Sequence, residues 1–532
     1  MALLHWTPPT TPSAQEAMLL KRCQKNRRLF AFLRTHRHEL FDEAFQQELD
    51  TMYRETGAGK APLCPALMSM ALIIQGYLGI SDAEAVELTV VDLRWQLVLD
   101  RLGETSAAFS QGALFEFRER LIAHDMDQRL LERTAEMARR SQDFDAKKLP
   151  KRLRIGLDSS PLEGAGRVED TLNLIGHAAR QVAECVALLL EQSFETVCQQ
   201  AGIPLLLESS VKKALDCEWS DAGEQAAAVD RLAQQVLSLE RWIECHLAEQ
   251  AQQPPLASLL EVMHRLMAQD LEPDPEGSGL RVIDGVAVDR QISIEDEQMR
   301  HGRKSKSQRI DGYKRHVASD LDTHAILACA VTPANQAEHE ALDVLKAAID
   351  EQGLQFAEAH FDRGYLGSTA VAQIVAEGGE IVCKPWHHSN GECYSKTDFA
   401  LDLRAKTLTC PAGQCQPIAF GRTVVFPAST CDVCALRPQC TSAKAGRGRS
   451  VHIADDERLQ KRLRTMMKSP SGRQRFRERV AVEHRLAHIG QRQGPRARYG
   501  GTRKNLYDLR RAATIQNLET AQRQQTALAK AA

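Results

Sequence analysis

The sequence predicts an α/β protein: a mixed β-sheet with helices on its faces, interrupted by a helical insertion and a cysteine-rich insert, and preceded by an all-helical region. Three observations carry that prediction. The short apolar runs in RIGLDSSPLEG and FAEAHFDRGYLG each lead to an aspartate, Asp158 and Asp362, as a buried strand ending at a polar turn does. After residue 286, strand and helix patterns alternate, the succession of a sheet covered by helices. Long helical patterns without strand candidates fill the first 150 residues and the stretch from Val168 to about Asp270.

Taken in order, residues 1–150 read as a helical bundle. Ser81-Asp82-Ala83-Glu84 is a capping box that opens a helix carrying Val86, Val90, Leu93 and Leu97 on one face. Further helices run from Phe115 to Met137, and the bundle closes in the basic hinge Lys147 to Arg154. Gly57-Ala58-Gly59-Lys60 is not a phosphate loop, because it lacks the earlier Gly and the Ser/Thr after Lys60. Residues 151–167 hold the first strand, with Asp158 at its end. Residues 168–285 form a helical insertion or a coiled-coil arm, which periodicity does not separate, and close through the polar turn Glu272 to Gly279. Residues 286–390 supply the main sheet: strands Tyr313–Ser319 and Ala325–Val331, a helix Glu338–Gln352, the strand 356–361 before Asp362, a helix Ser368–Glu377 and a strand Glu380–Cys383. Residues 391–465 are the cysteine-rich module, and residues 466–532 a basic helical tail.

Net charge is -2 and argues for no partner, but it is unevenly spread. Residues 461–511 hold sixteen Lys or Arg against Glu478, Glu483 and Asp508, and such a basic end is the footprint of a nucleic-acid contact. A second basic stretch, Arg300 to His316, contributes Arg303, Lys304, Lys306, Lys314 and Arg315 as phosphate contacts. No signal-peptide pattern and no uninterrupted apolar run of about eighteen residues is present, so no membrane partner is expected. The 14 cysteines are then expected as thiols or metal ligands in a reducing cytoplasm.

Strands side by side lie about 5 Å apart, so Asp158 and Asp362 on neighbouring strands can share a metal. Five cysteines follow: Cys431-x-x-Cys434 is the tight half of a tetrathiolate zinc site, completed by Cys440 and either Cys410 or Cys415. In SGRQRFRERVAVEHRLAHIG, Phe476, Arg479 and Glu483 share one helical face, with Arg479 one turn before Glu483 and placed to hold its carboxylate ionised. Arg498, Arg503 and Lys504, interleaved with Tyr499 and Tyr507, suit a surface tracking a phosphate backbone.

These residues resemble bacterial insertion-sequence transposases of the DDE type. LDTMYRETGAGKAP through SDAEAVELTVVDLRWQLVLD is similar to that family's helical N-terminal domain, LDSSPLEGAGRVEDT and AHFDRGYLG to the segments with its two aspartates, and FRERVAVEH to the helix with its glutamate. One branch carries Tyr-x2-Arg-x3-Glu-x6-Lys there; here Phe476 stands for the Tyr and Gly490 for the Lys, with Arg485 or Arg492 as neighbouring cations. The resemblance implies a ribonuclease-H-like catalytic domain, with Asp158, Asp362 and Glu483 as catalytic metal ligands for two Mg²⁺ or Mn²⁺ ions. It also implies phosphodiester hydrolysis followed by strand transfer, DNA ends and target DNA as partners, and a homodimer on DNA. A nuclease of the same fold and a non-catalytic DNA-binding protein are the other readings.

Overall fold

A computed structural model describes residues 5–53, 62–140, 149–275, 279–304 and 307–531. Gly57–Lys60, Lys147 and Lys148 of the basic hinge, Lys306 and part of the polar turn before Gly279 lie outside the described residues.

The N-terminal region is helical: α1 (Ala14–Asn26), α2 (Arg28–Leu40), α3 (Glu43–Asp50), α4 (Pro65–Leu78), α5 (Asp82–Val91), α6 (Leu93–Leu99), α7 (Gln111–Ala123) and α8 (Met126–Arg140). Ser81 caps α5, its side chain accepting from the Glu84 amide. The single helix expected over Val86 to Leu97 is two, because Asp92 takes an extended backbone and its carboxylate caps α6 at the Arg94 amide. Leu97 is buried while Leu93 is exposed.

The sheet begins with β1 (Arg152–Glu163). A helical subdomain follows: α9 (Thr171–Leu189), α10 (Phe194–Gln200), α11 (Val211–Ala214), α12 (Ala222–His246) and α13 (Leu256–Asp270), closed by the hairpin β2 (Leu271–Pro273) and β3 (Leu280–Val282). Its helices enclose their own core, with Val182, Leu232, Val236 and Met263 at its centre, so the insertion is a compact body and not an extended arm. The chain returns through β4 (Arg300–Arg303), β5 (Arg309–Asp320), β6 (Ile326–Pro333), α14 (Glu338–Glu351), β7 (Gln355–His360), α15 (Thr369–Ala376) and β8 (Glu380–Val382).

This is the mixed α/β sheet the sequence predicts. Its order is β4-β5-β1-β7-β8, with β6 beside β4 on the far edge of β5. β1 runs antiparallel to β5 and parallel to β7, and β7 parallel to β8. β1 continues five residues past Asp158, with Asp158 paired to Val317, so Asp158 lies within the strand and not at its tip.

The cysteine-rich module contains short strands and turns: β9 (Ala400–Asp402), β10 (Thr407–Thr409), β11 (Cys415–Pro417), β12 (Thr423–Val425), α16 (Ala428–Asp432), α17 (Arg437–Cys440) and β13 (Ser450–His452). The tail comprises α18 (Glu457–Lys468), α19 (Pro470–Arg477), α20 (Val480–Gln493) and α21 (Thr502–Ala531). The helix expected across Ser471 to Gly490 is thus divided at Glu478–Arg479 into α19 and α20.

Successive strand residues point to opposite faces, and each face has its own cover. Ala318, Ala328 and Ala330 pack with α14 through Leu342, Leu345 and Ile349. On the other face, Val317, Ile326 and Cys329 pack with Val482, Leu486 and Ile489 of α20 and Leu509 and Ala513 of α21.

Candidate active site

Gly156 decides how close α20 comes to the sheet. A Cβ there would lie 3.4 Å from the Val482 Cβ and 2.8 Å from the Leu321 Cδ2, so glycine lets the helix rest on β1. Asp158, two residues on, shares the face of Gly156, and Glu483 follows Val482. The β1–β7 register pairs Gly156 with His360; continued by two residues, it sets Asp158 beside Asp362, just past the end of β7. Topology thus brings together the three acids.

Arg479 joins two of them. Its guanidinium lies 3.3 Å from Asp362 Oδ2 and 2.8 Å from Glu483 Oε1, and it rests over the Phe476 ring with its central carbon 5.2 Å from the centroid. The Phe476 ring therefore packs under the arginine. Asp158 is raised to about 6, first by burial and then by the charges of Asp362 and Glu483, against which the Ser159 amide and Arg479 lower it. Three carboxylates this near one another repel, and Arg479 is the cation that offsets them.

A support layer lies behind the acids. Ser159 Oγ donates to Glu338 Oε1 at 2.5 Å. The other oxygen of Glu338 abuts Gly364, where a Cβ would come within 2.0 Å of it. Glu338 thus meets the residue after Asp158 and the glycine two residues beyond Asp362. His316 is wholly buried, with Nδ1 2.8 Å from the Tyr365 hydroxyl and Nε2 3.1 Å from Thr332 Oγ1; burial lowers this histidine to about 3, so it is neutral. Sequence reasoning missed Glu338 and His316. The signal was present in Glu338 opening α14, but nothing local shows that a helix start faces a strand far away in the chain.

Among the described residues, no group of three or more His, Cys, Asp or Glu stands placed to hold a metal ion. At the acids the reason is visible: Arg479 fills the space between Asp362 and Glu483. The donor set itself, three carboxylates, suits a hard divalent cation. In the cysteine-rich module, Cys410, Cys431, Cys434 and Cys440 line one cavity of ≈ 250 Å³, while Cys415 is exposed on β11 and does not line it. Of the two alternatives for the fourth thiol, Cys410 is the one that lines this cavity with the others.

The basic residues divide. Arg303 ends β4 and Lys304 follows it, both exposed, and Arg498 is exposed after α20. Lys314 donates to the Gln336 carbonyl at 2.8 Å. Arg315, expected as a phosphate contact, is instead buried and donates to Ser160 Oγ, Gln493 Oε1 and the Gly494 carbonyl. A Cβ at Gly490 would lie 3.3 Å from its guanidinium, so Arg315 lies against Gly490. Arg485 is half-buried, and burial lowers its pKa. Arg503 pairs with Asp125 and Asp127, and Lys504 with Glu119, tying α21 to α7 and α8.

Two family models match the chain. One, a transposase domain (DUF772), covers residues 19–120, and the other, a transposase DDE domain, covers residues 409–521. Both matches are to transposase families, and together they support a DDE-type insertion-sequence transposase. The first match spans α1 to most of α7; the second contains the four clustered cysteines and Glu483, with Asp158 and Asp362 outside both. No curated protein and no solved structure matches it. The transposase families imply DNA transposition, with DNA as the partner. No single helix among the described residues is long and apolar enough to cross a membrane; α4 and α5 pass that test only as a pair, bent by 106°.

Proposed function

We propose that this transposase cuts and joins the ends of its own element by metal-dependent phosphodiester hydrolysis and strand transfer, with Asp158, Asp362 and Glu483 as its catalytic carboxylates. The observation that carries the reading is Arg479, which pairs with both Asp362 and Glu483 just past the end of β7, where the β1–β7 register continued beyond its last pair, Gly156 with His360, leads from Asp158 to Asp362. Two Mg²⁺ or Mn²⁺ ions held by these acids would supply the charge that activates the attacking oxygen and stabilises the leaving one. Asp158 must lose its proton to serve as a ligand. Arg479 has a second use, since a guanidinium released from one carboxylate is free to meet a phosphate oxygen. Glu338 and Ser159 fix the backbone on either side.

The four thiols are read as a structural zinc site, closed by four ligands and without chemistry. Zinc released on thiol modification, and its absence from a Cys431→Ser/Cys434→Ser variant, would support that assignment; a metal-free protein of unchanged thermal stability would remove it. Joining two ends requires two copies, so the active species is read as a homodimer on DNA.

The test is incubation of a supercoiled plasmid bearing the gene's own flanks with Mg²⁺ or Mn²⁺. Wild type is expected to break it at the element ends and Glu483→Gln to leave it intact. A folded wild type that binds the flanks and leaves them uncut would refute the catalytic reading in favour of DNA binding alone.

A further inference from the structure

Away from the acids, the N-terminal helices and the basic tail enclose an open cleft of ≈ 890 Å³. Its cations are Lys25, Arg28, Arg492, Arg498 and Arg523, and Glu519 is the one carboxylate in its lining. That carboxylate is already engaged: Glu519 Oε1 accepts from Arg492 at 2.9 Å, while Arg492 also donates to the Tyr77 carbonyl at 3.3 Å and lies over the Tyr77 ring. Among the described residues, the hydrogen bonds of Arg498 and Arg523 go to backbone carbonyls, at 3.5 and 3.2 Å, which leave their charge in place. Lys25, Arg28, Arg498 and Arg523 are exposed.

We infer that this cleft seats the phosphate backbone of duplex DNA, linking the N-terminal helices to the helix that carries Glu483; the inference rests on the DNA-transposition reading. An open cleft walled by cations and amides, among them Gln491, Gln516 and Gln522, lacks the apolar enclosure that small-molecule sites have. Its excess positive charge suits a polyanion with closely spaced phosphates. Position along the chain strengthens the assignment. Arg492 lies nine residues beyond Glu483 on α20, about 14 Å along the axis and half a turn round it. Glu483 and the cleft therefore flank the same helix, and its solvent crest between them presents His484, His488 and Gln491 without a carboxylate. DNA leaving the acids can cross that crest into the cleft without meeting negative charge.

The test compares full-length wild type, Arg28→Glu/Arg523→Glu and Arg28→Lys/Arg523→Lys for binding to a labelled duplex from the gene's own flank, titrated over a series of salt concentrations. Both residues are exposed, so circular dichroism should show unchanged folding. The Glu variant is expected to bind at least about tenfold more weakly, with a salt slope shallower by roughly 2, and the Lys variant to bind as wild type. Equal affinity and equal slope in the Glu variant would overturn the inference, as would preferential displacement of the duplex by an RNA competitor of the same length. Plasmid cleavage separates the two readings. If wild type never cuts but the Glu variant still loses binding, the catalytic reading fails and the cleft stands; if wild type cuts and the Glu variant binds and cuts equally well, the cleft fails and the catalytic reading stands.

Discussion

Arg479 and Asp158 set the behaviour of the acid cluster in opposite ways. Arg479 contacts two carboxylates with one planar fork, which the point charge of lysine cannot reproduce. Arg479→Lys is therefore expected to cut the cleavage rate about 100-fold with little loss of stability, because a misplaced ligand of that kind costs this much; single-turnover cleavage and a thermal melt on the same samples check it. Asp158 has a folded pKa of about 6 against an ordinary value of 3.8, owing first to burial. The native state thus holds this proton more tightly than the unfolded chain, so the contribution to stability is full below the unfolded value and is lost as pH rises through 6. Asp158→Asn should be more stable than wild type at pH 8 in urea, by up to ~3 kcal/mol, with the difference shrinking towards pH 4. Metal-dependent cleavage by wild type should rise through about pH 6 as the carboxylate ionises. A flat stability difference across that range would show that Asp158 is not the titrating group. Gly364 supplies a third check, since a methyl there meets Glu338. Gly364→Ala should slow cleavage about tenfold, and adding Glu338→Ala should not slow it by a further full increment, because the two positions act through one contact.

The elements that build this site show what could be read in advance and what could not. β7, α14, α15 and β8 follow their apolar patterns to within a residue or two, since each buries a face whose period is written locally. The length of β1 was hidden because Asp158, Ser159 and Ser160 look like the start of a turn; they stay in a strand because β5 pairs with them and Glu338 and Arg315 meet the two serines. The fate of the basic residues was equally hidden, because the carboxylates facing Arg503 lie more than 370 residues earlier. The same distance effect governs the sheet edge. Near the register shift of β5 and β6, Asn517 of α21 accepts from the Ile326 amide at 2.7 Å and donates to its carbonyl at 2.9 Å, wholly inside the protein. Asn517→Leu keeps the bulk but strands both backbone groups, and an unmet buried polar group costs about 1–3 kcal/mol. A loss of about 2–4 kcal/mol in urea unfolding is the expected result; a neutral substitution would mean that α21 does not close this edge.

At the scale of the molecule, the question is whether the N-terminal helices form a separable unit. Their match to a family model of their own suggests a module, but the packing argues otherwise. Phe30, Leu72 and Ile74 share one continuous core with Ile515 and Leu518 of α21 and with Ile155 and Leu157 of β1. Polar ties reinforce it: Arg510 and Arg503 of α21 pair with Asp127, which is buried, and the Arg511 side chain lies against Gly76 with a Cβ there at 3.0 Å from its Cδ. Removing residues 1–140 would expose the apolar side of α21 and leave the buried Arg510 without Asp125 and Asp127, and an unpartnered buried charge costs several kcal/mol, comparable to the whole stability of a domain. The fragment 141–532 is thus expected to lose its cooperative thermal transition and to aggregate on gel filtration. Loss of end binding in such a fragment would then report unfolding and not a missing DNA contact, which is why charge reversal at Arg28 and Arg523 is the sounder probe of the N-terminal helices. A monomeric fragment melting cooperatively at the wild-type temperature would show instead that the shared core is not needed for folding, and the N-terminal helices could then be assayed for DNA binding on their own.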